Sequence, residues 1–138
     1  MNKISTLTDQ SIEVASYIYK VLPDFPAEEE WNTVSKLRNA ANDLMFYCAE
    51  AEGQLDKHSA KYEWGSACKS ASGLSALCRF TIKQKFIDFD LDIMVAIENL
   101  ISATKANYQI ALQLDDEKEE KQMDNWLKRY KIWKETEI

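Results

Sequence analysis

"LDIMVAIENLISATKANYQIAL", residues 91–112, places Leu91, Met94, Ile97, Ile101, Tyr108 and Ala111 in steps of three and four, with Thr104 keeping the same step. That spacing is one face of an α-helix; a half-buried strand would alternate instead. Asp88 or Asp90 just ahead of it supplies a carboxylate to cap the first turn. If this long segment is helical, the rest of the chain has to provide helices to cover its apolar stripe.

Three further helical segments precede it. The first is predicted over about Leu7–Leu22, with Ile12, Ala15, Tyr19 and Leu22 on one face and Val14, Ile18 and Val21 beside them. Thr6 or Thr8 can cap it, and Pro23 stops it. A second begins at Pro26, a preferred first helical position. Glu28, Glu29 and Glu30 follow at the positive end of the helix dipole. Its stripe reads Trp31, Val34, Leu37, Ala41, Leu44 or Met45, and Cys48, and it closes at Gly53. The third extends from about Asp56 to Lys85.

The connections are short, at residues 23–25, 53–56 and 86–90. Short loops make consecutive helices antiparallel neighbours. The predicted fold is therefore all-α, an antiparallel up-down-up-down four-helix bundle over residues 1–112. A charged helical extension, residues 113–138, either continues the fourth helix or forms an arm. Only 3 glycines and 2 prolines occur in 138 residues, too few turn signals for a sandwich or barrel. With 46% hydrophobic and 11% aromatic residues, the chain can bury a core and is not of disordered composition.

Charge is segregated. The net value is −6, yet Lys61–Phe86 carries Lys61, Lys69, Arg79, Lys83 and Lys85 against Glu63 alone, a local +4. Leu112–Asn125 carries Lys118 and Lys121 against six carboxylates, a local −4. A basic surface is thus compatible with an acidic chain. The C-terminal "NWLKRYKIWK" then brings Lys128 and Arg129 together with Trp126, Tyr130 and Trp133. Like Arg79 and Lys83, these cations read either as ordinary solvated charges or as an electrostatic track for phosphates with rings for stacking.

Catalytic chemistry finds little footing. His58 is the sole histidine and sits in the polar turn "LDKHS", so paired Glu-x-x-His ligands cannot be built. No Cys–His or Ser–His–Asp set is possible beyond that one residue, which reads as a solvated turn residue. Gly65 and Gly73 lie eight apart inside a helix and form no phosphate loop. The carboxylates at 28–30 and 115–120 read as solvated helix ends. Cys48, Cys68 and Cys78 have no metal-ligand spacing, and an odd count points to reduced thiols in a cytosol-like compartment. No apolar signal segment and no membrane-span-length run is present. The expectation is a soluble, cytoplasmic, non-enzymatic protein with no cofactor, no metal, no membrane and no small-molecule substrate.

The third helix is thin: "SACKSASGLSALCRF", residues 66–80, offers only Leu74, Leu77 and Phe80 as large apolar groups. Gly65, Ala67, Ala71, Gly73 and Ala76 let another helix backbone approach. One reading gives that closeness to the bundle interior. The other gives part of it, at Gly65, Ala71, Gly73 and Ala76, to packing against another subunit, because a helix cannot turn every one of these positions inward.

"YKVLPDFPAEEEWNTVSKLRNAANDLMFYCAEAEG", residues 19–53, resembles the first helical hairpin of the small four-helix-bundle proteins that include the rRNA intervening-sequence proteins. The shared elements are Phe25-Pro26, the stretch Leu37, Arg38, Asn39, Ala40, Ala41, and the end at Ala49–Gly53. "SAKYEWGSACKSASGLSALCRF" is similar to one branch, the accessory variability determinant (Avd) of diversity-generating retroelements, through Ser72, Gly73, Leu74, Leu77, Arg79 and Phe80. One residue is inserted before that arginine. The resemblance covers roughly residues 10–112. It implies a barrel-like homopentamer, in the Avd branch strongly basic, that binds a reverse transcriptase and its RNA without being an enzyme. This chain departs in its net charge and in its long tail. Arg38 and Arg79 carry over as phosphate or partner contacts. Lys69, Lys83, Lys85, Lys128 and Arg129 join them from charge placement. The alternative is an interaction or structural bundle of the intervening-sequence kind, with no nucleic-acid role.

Overall fold

The computed structural model describes residues 5–136, and among them only helices and turns occur. The four long helices are α1 (Leu7–Val21), α2 (Ser35–Glu52), α3 (Lys61–Gln84) and α4 (Leu91–Thr136). Their ends follow from local chemistry. The Thr6 hydroxyl accepts from the Asp9 amide at 3.0 Å and caps α1. Pro23 sits in a 3₁₀ turn, Leu22–Asp24, that ends it. Asp90 caps α4, its carboxylate accepting from the Asp92 amide at 2.9 Å.

At the end of α3, Lys85 takes the left-handed conformation with φ 55°, and the Phe86 amide reaches back to the Thr81 carbonyl at 3.3 Å. This is a C-terminal cap that glycine usually fills.

The second helix departs from the sequence reading. It opens with a 3₁₀ turn at Ala27–Glu29 and a π turn at Glu30–Val34 before regular α-helix begins. The Glu29 carboxylate secures this entry by accepting from the Thr33 hydroxyl at 2.7 Å. A π turn advances less per residue than 3.6-period spacing assumes. Trp31, expected on the core stripe with Val34 and Leu37, consequently points to solvent and is 91% exposed. On α1, Ile12 and Tyr19 are likewise exposed; its buried face is Ser11, Val14, Ala15 and Ile18, and Leu22 joins them from the turn that follows. Leu91 is exposed ahead of the buried part of α4.

Contacts join α1 with α2, α2 with α3, α3 with α4, and α1 with α4. Paired positions run in opposite senses. Thr8 meets Glu52 and Tyr19 meets Asn42 across α1 and α2. Lys61 meets Asp115, Gly65 lies against Tyr108, Cys68 meets Ile101 and Ser75 meets Glu98 across α3 and α4. The core between them holds Ile18, Leu37, Leu44, Leu74, Ile97 and Leu100, all fully buried.

Small α3 residues are used inside. Ala67, Ala71, Ser75 and Cys78 are buried, and the Ser75 hydroxyl donates to Glu98 at 2.6 Å. Buried hydroxyls of Ser11, Thr81 and Thr104 bond back to their own helices, so these donors are not stranded in the core.

Residues 113–136 continue α4 without a break, so the arm alternative does not hold over the described residues. Burial nevertheless stops at Ala111, and every residue from 116 to 136 is exposed.

Candidate interaction surfaces

The outward face of α3 is the first candidate surface. At 100° per residue, Lys69, Arg79 and Lys83 fall within about 80° of one another around the helix axis and span about 21 Å along it. All three are exposed, and Ser72, Gly73, Ala76 and Phe80 share the face. A Cβ built at Gly73 would meet nothing within 4 Å, so no helix of the same protomer approaches there. Gly73 and Ala76 therefore remain open to a second molecule. Ala71, grouped with them on the sequence, is fully buried in the protomer's own core and has no outward surface to give. Gly65 faces inward too: its added Cβ would sit 3.4 Å from the Tyr108 ring.

Beside this face, α3 and α4 enclose a groove of about 770 Å³. Gly65, Ser66 and Ser72 keep its α3 wall low, Ile101 and Tyr108 form the α4 wall, and Lys61, Lys69 and Lys105 stand around it. The Cys68 thiol lies in it, directed at the Ile101 carbonyl at 3.8 Å.

Lys61 is neutralised in place by Asp115 at 2.8 Å. Their mutual hydrogen bond raises the lysine pKa and lowers that of the aspartate. Among the described residues the ion pairs are this one and Arg38–Glu30 at 3.7 Å, which leaves Lys69, Arg79, Lys83 and Lys105 outside any salt bridge. Lys105 was not singled out from the sequence. Its signal was there, four residues after Ile101 on the same turn-to-turn row.

The remaining basic residues do not join one surface. Arg38 is on α2 and bound to Glu30. Lys85 belongs to the left-handed cap beyond α3. Lys128 and Arg129 lie on the bare end of α4, about 20 Å past the Asp115 level, while Arg79 lies about 27 Å from Lys61 in the other direction. Roughly 45 Å of helix axis separates the two groups.

The second candidate surface is that bare end. Met123, Trp126, Leu127, Tyr130 and Trp133 are exposed along it. The rings of Trp126 and Tyr130 stack with centroids 5.5 Å apart, and Lys134 sits 5.8 Å over the Tyr130 ring.

His58 is near Lys118, with Nε2 and Nζ 3.2 Å apart. No group of three or more His, Cys, Asp or Glu residues is disposed to hold a metal among the described residues. No helix there is long and apolar enough to cross a membrane. Cys48, Cys68 and Cys78 are all free thiols, with Cys48 and Cys78 buried. Compared with protein-family models, with curated proteins and with solved structures, the chain matches none.

Proposed function

We propose that this protein is a non-catalytic, oligomeric adaptor: an up-down-up-down four-helix bundle whose cationic α3 face holds a phosphate-bearing partner. The observation that carries the reading is the set of Lys69, Arg79 and Lys83 on one exposed face with no carboxylate paired to them. Such a face attracts phosphates despite a net charge of −6, because the acidic stretch begins beside Lys61 and runs away from Arg79 and Lys83. A Debye length of about 8 Å screens charges that far apart.

The biological setting follows from the resemblance to the accessory variability determinant: a cytoplasmic accessory protein, in a homopentamer, for a reverse transcriptase and its RNA. The open positions Gly73 and Ala76 suit close packing between copies, and oligomerisation would repeat the α3 charges around a ring.

Salt-dependent RNA retention tests this reading. Three phosphate contacts per protomer on single strands give a slope of log K against log salt of about −2. Reversing Arg79 and Lys83 to Glu should abolish retention while helicity and mass by light scattering stay unchanged. Absence of RNA binding at low salt, or full binding by the reversed protein, refutes it. A second reading, an interaction bundle without a nucleic-acid role, is favoured by the exposed aromatic row on the end of α4. Under it, the α3 charges would be dispensable.

A further inference from the structure

The last turns of α4 carry an apolar row that no other helix of the protomer covers. Met123, Trp126, Tyr130 and Trp133 follow steps of three, four and three, the spacing of a coiled-coil seam, and Leu127 widens it. At 100° per residue these five side chains fall within about 120° of the helix circumference. The same arithmetic brings Trp133 and Trp126 onto the azimuth of Ile97 and Tyr108, residues that pack inward within the bundle. One edge of the core-facing stripe of α4 thus runs on, through Trp126 and Trp133, for about 31 Å past the point where the protomer's other helices stop covering it. Met123 and Leu127 widen it toward the side on which Lys105 and Gln109 are exposed. Met123 is 58% exposed and Trp126 57%.

Charge supplies the identity of the occupant. The stretch from Asp115 to Asp124 holds six carboxylates against Lys118 and Lys121, and the stretch from Lys128 to Glu135 holds four cations against one carboxylate. The end of α4 is therefore acidic in its first half and basic in its second. A parallel pair of such helices sets like charge on like. An antiparallel pair sets each acidic half beside a basic half, and a two-fold contact makes both matches at once.

We propose that α4 pairs through this seam with α4 of a second copy of the chain, antiparallel and two-fold. Setting Met123 opposite Trp133 of the second copy also sets Trp126 opposite its Tyr130, so that four successive layers are apolar. The turns around Asp124 then run beside the last turns of the second copy, which carry Lys131 and Lys134. This contact is independent of what the α3 face binds. A two-fold contact cannot be shared evenly round a ring of five, so in such a ring it would join two whole assemblies.

The test uses the full chain. Trp126→Glu with Tyr130→Glu alters only side chains exposed in the protomer, so helicity and melting of the bundle are expected to hold. Light scattering at micromolar concentration should return half the wild-type mass for this variant, with dissociation of the wild-type pair at least tenfold tighter. Reversing the acidic half, Glu119→Lys with Asp124→Lys, should also halve the mass. Adding Lys131→Glu and Lys134→Glu to that reversed chain should restore it. A wild-type mass equal to that of the Trp126→Glu/Tyr130→Glu variant overturns the pairing. Mass loss in the acidic reversal that the compensating basic reversal fails to restore overturns the antiparallel, self-complementary form.

Discussion

Replacing Gly73 by alanine should stabilise the protomer by about 1 kcal/mol, the difference between glycine and alanine in a helix interior. The geometry leaves nothing to subtract. Gly73 lies eleven residues before the end of α3, and its φ is not positive. A Cβ there would meet no atom within 4 Å. For a chain of this size, 1 kcal/mol corresponds to roughly 4 °C in Tm.

Gly65 is the internal comparison. Its Cβ would lie 3.4 Å from Tyr108, at the near limit of van der Waals contact, so the propensity gain there has no spare room to be realised in. Thermal melts of both variants should rank Gly73→Ala above Gly65→Ala. The larger replacement, Gly73→Leu, should leave the protomer fold intact for the same reason. If another copy packs on the α3 face, that side chain would instead drive the copies apart at an overpacking cost of about 1–3 kcal/mol. Light scattering beside the melts separates the two effects. A fall in Tm for Gly73→Ala at unchanged mass would refute the reasoning, because it would mean that something within the protomer occupies the space beside Gly73.

Two other outcomes follow from single residues. Lys85 holds φ 55° without being glycine, a strain of about 1–2 kcal/mol that Lys85→Gly relieves. After the added flexibility of the unfolded chain is subtracted, denaturant titration should show a gain of about 0.5–1 kcal/mol, and a loss would mean that the lysine side chain holds the cap. Burial pushes the Cys48 and Cys78 thiols up to about 12. At pH 8 the thiolate of each is then on the order of one part in ten thousand, so mass spectrometry after brief alkylation of the folded protein should find label at the half-exposed Cys68 alone. Equal labelling of all three would place Cys48 and Cys78 outside the core.

The segments that are helical, and most of their ends, were legible because each rests on neighbours in the chain. Thr6, Pro23, Asp90 and the three-four spacing of Leu37, Ala41, Leu44 and Cys48 act over one or two turns. The same local logic exposed the thinness of α3 and the charge blocks of α4. What it could not give was azimuth across a break in the helical pitch. Trp31 has the right spacing from Val34 and still faces solvent, because a π turn anchored by Glu29 intervenes. Nor could it choose between adjoining stripes on α1, where Ile12 and Val14 are both apolar and only the latter is covered.

The division of the small residues was decided in three dimensions as well. Ala71 is in the core, Gly65 is under Tyr108, and Gly73 is open, because α4 lies along one side of α3 and not the other. Periodicity fixes the angles between residues within one helix. Which residue of another helix lies opposite, Asp115 for Lys61 or nothing at all for Trp126, depends on how the helices are set side by side, and that is settled only when the core closes.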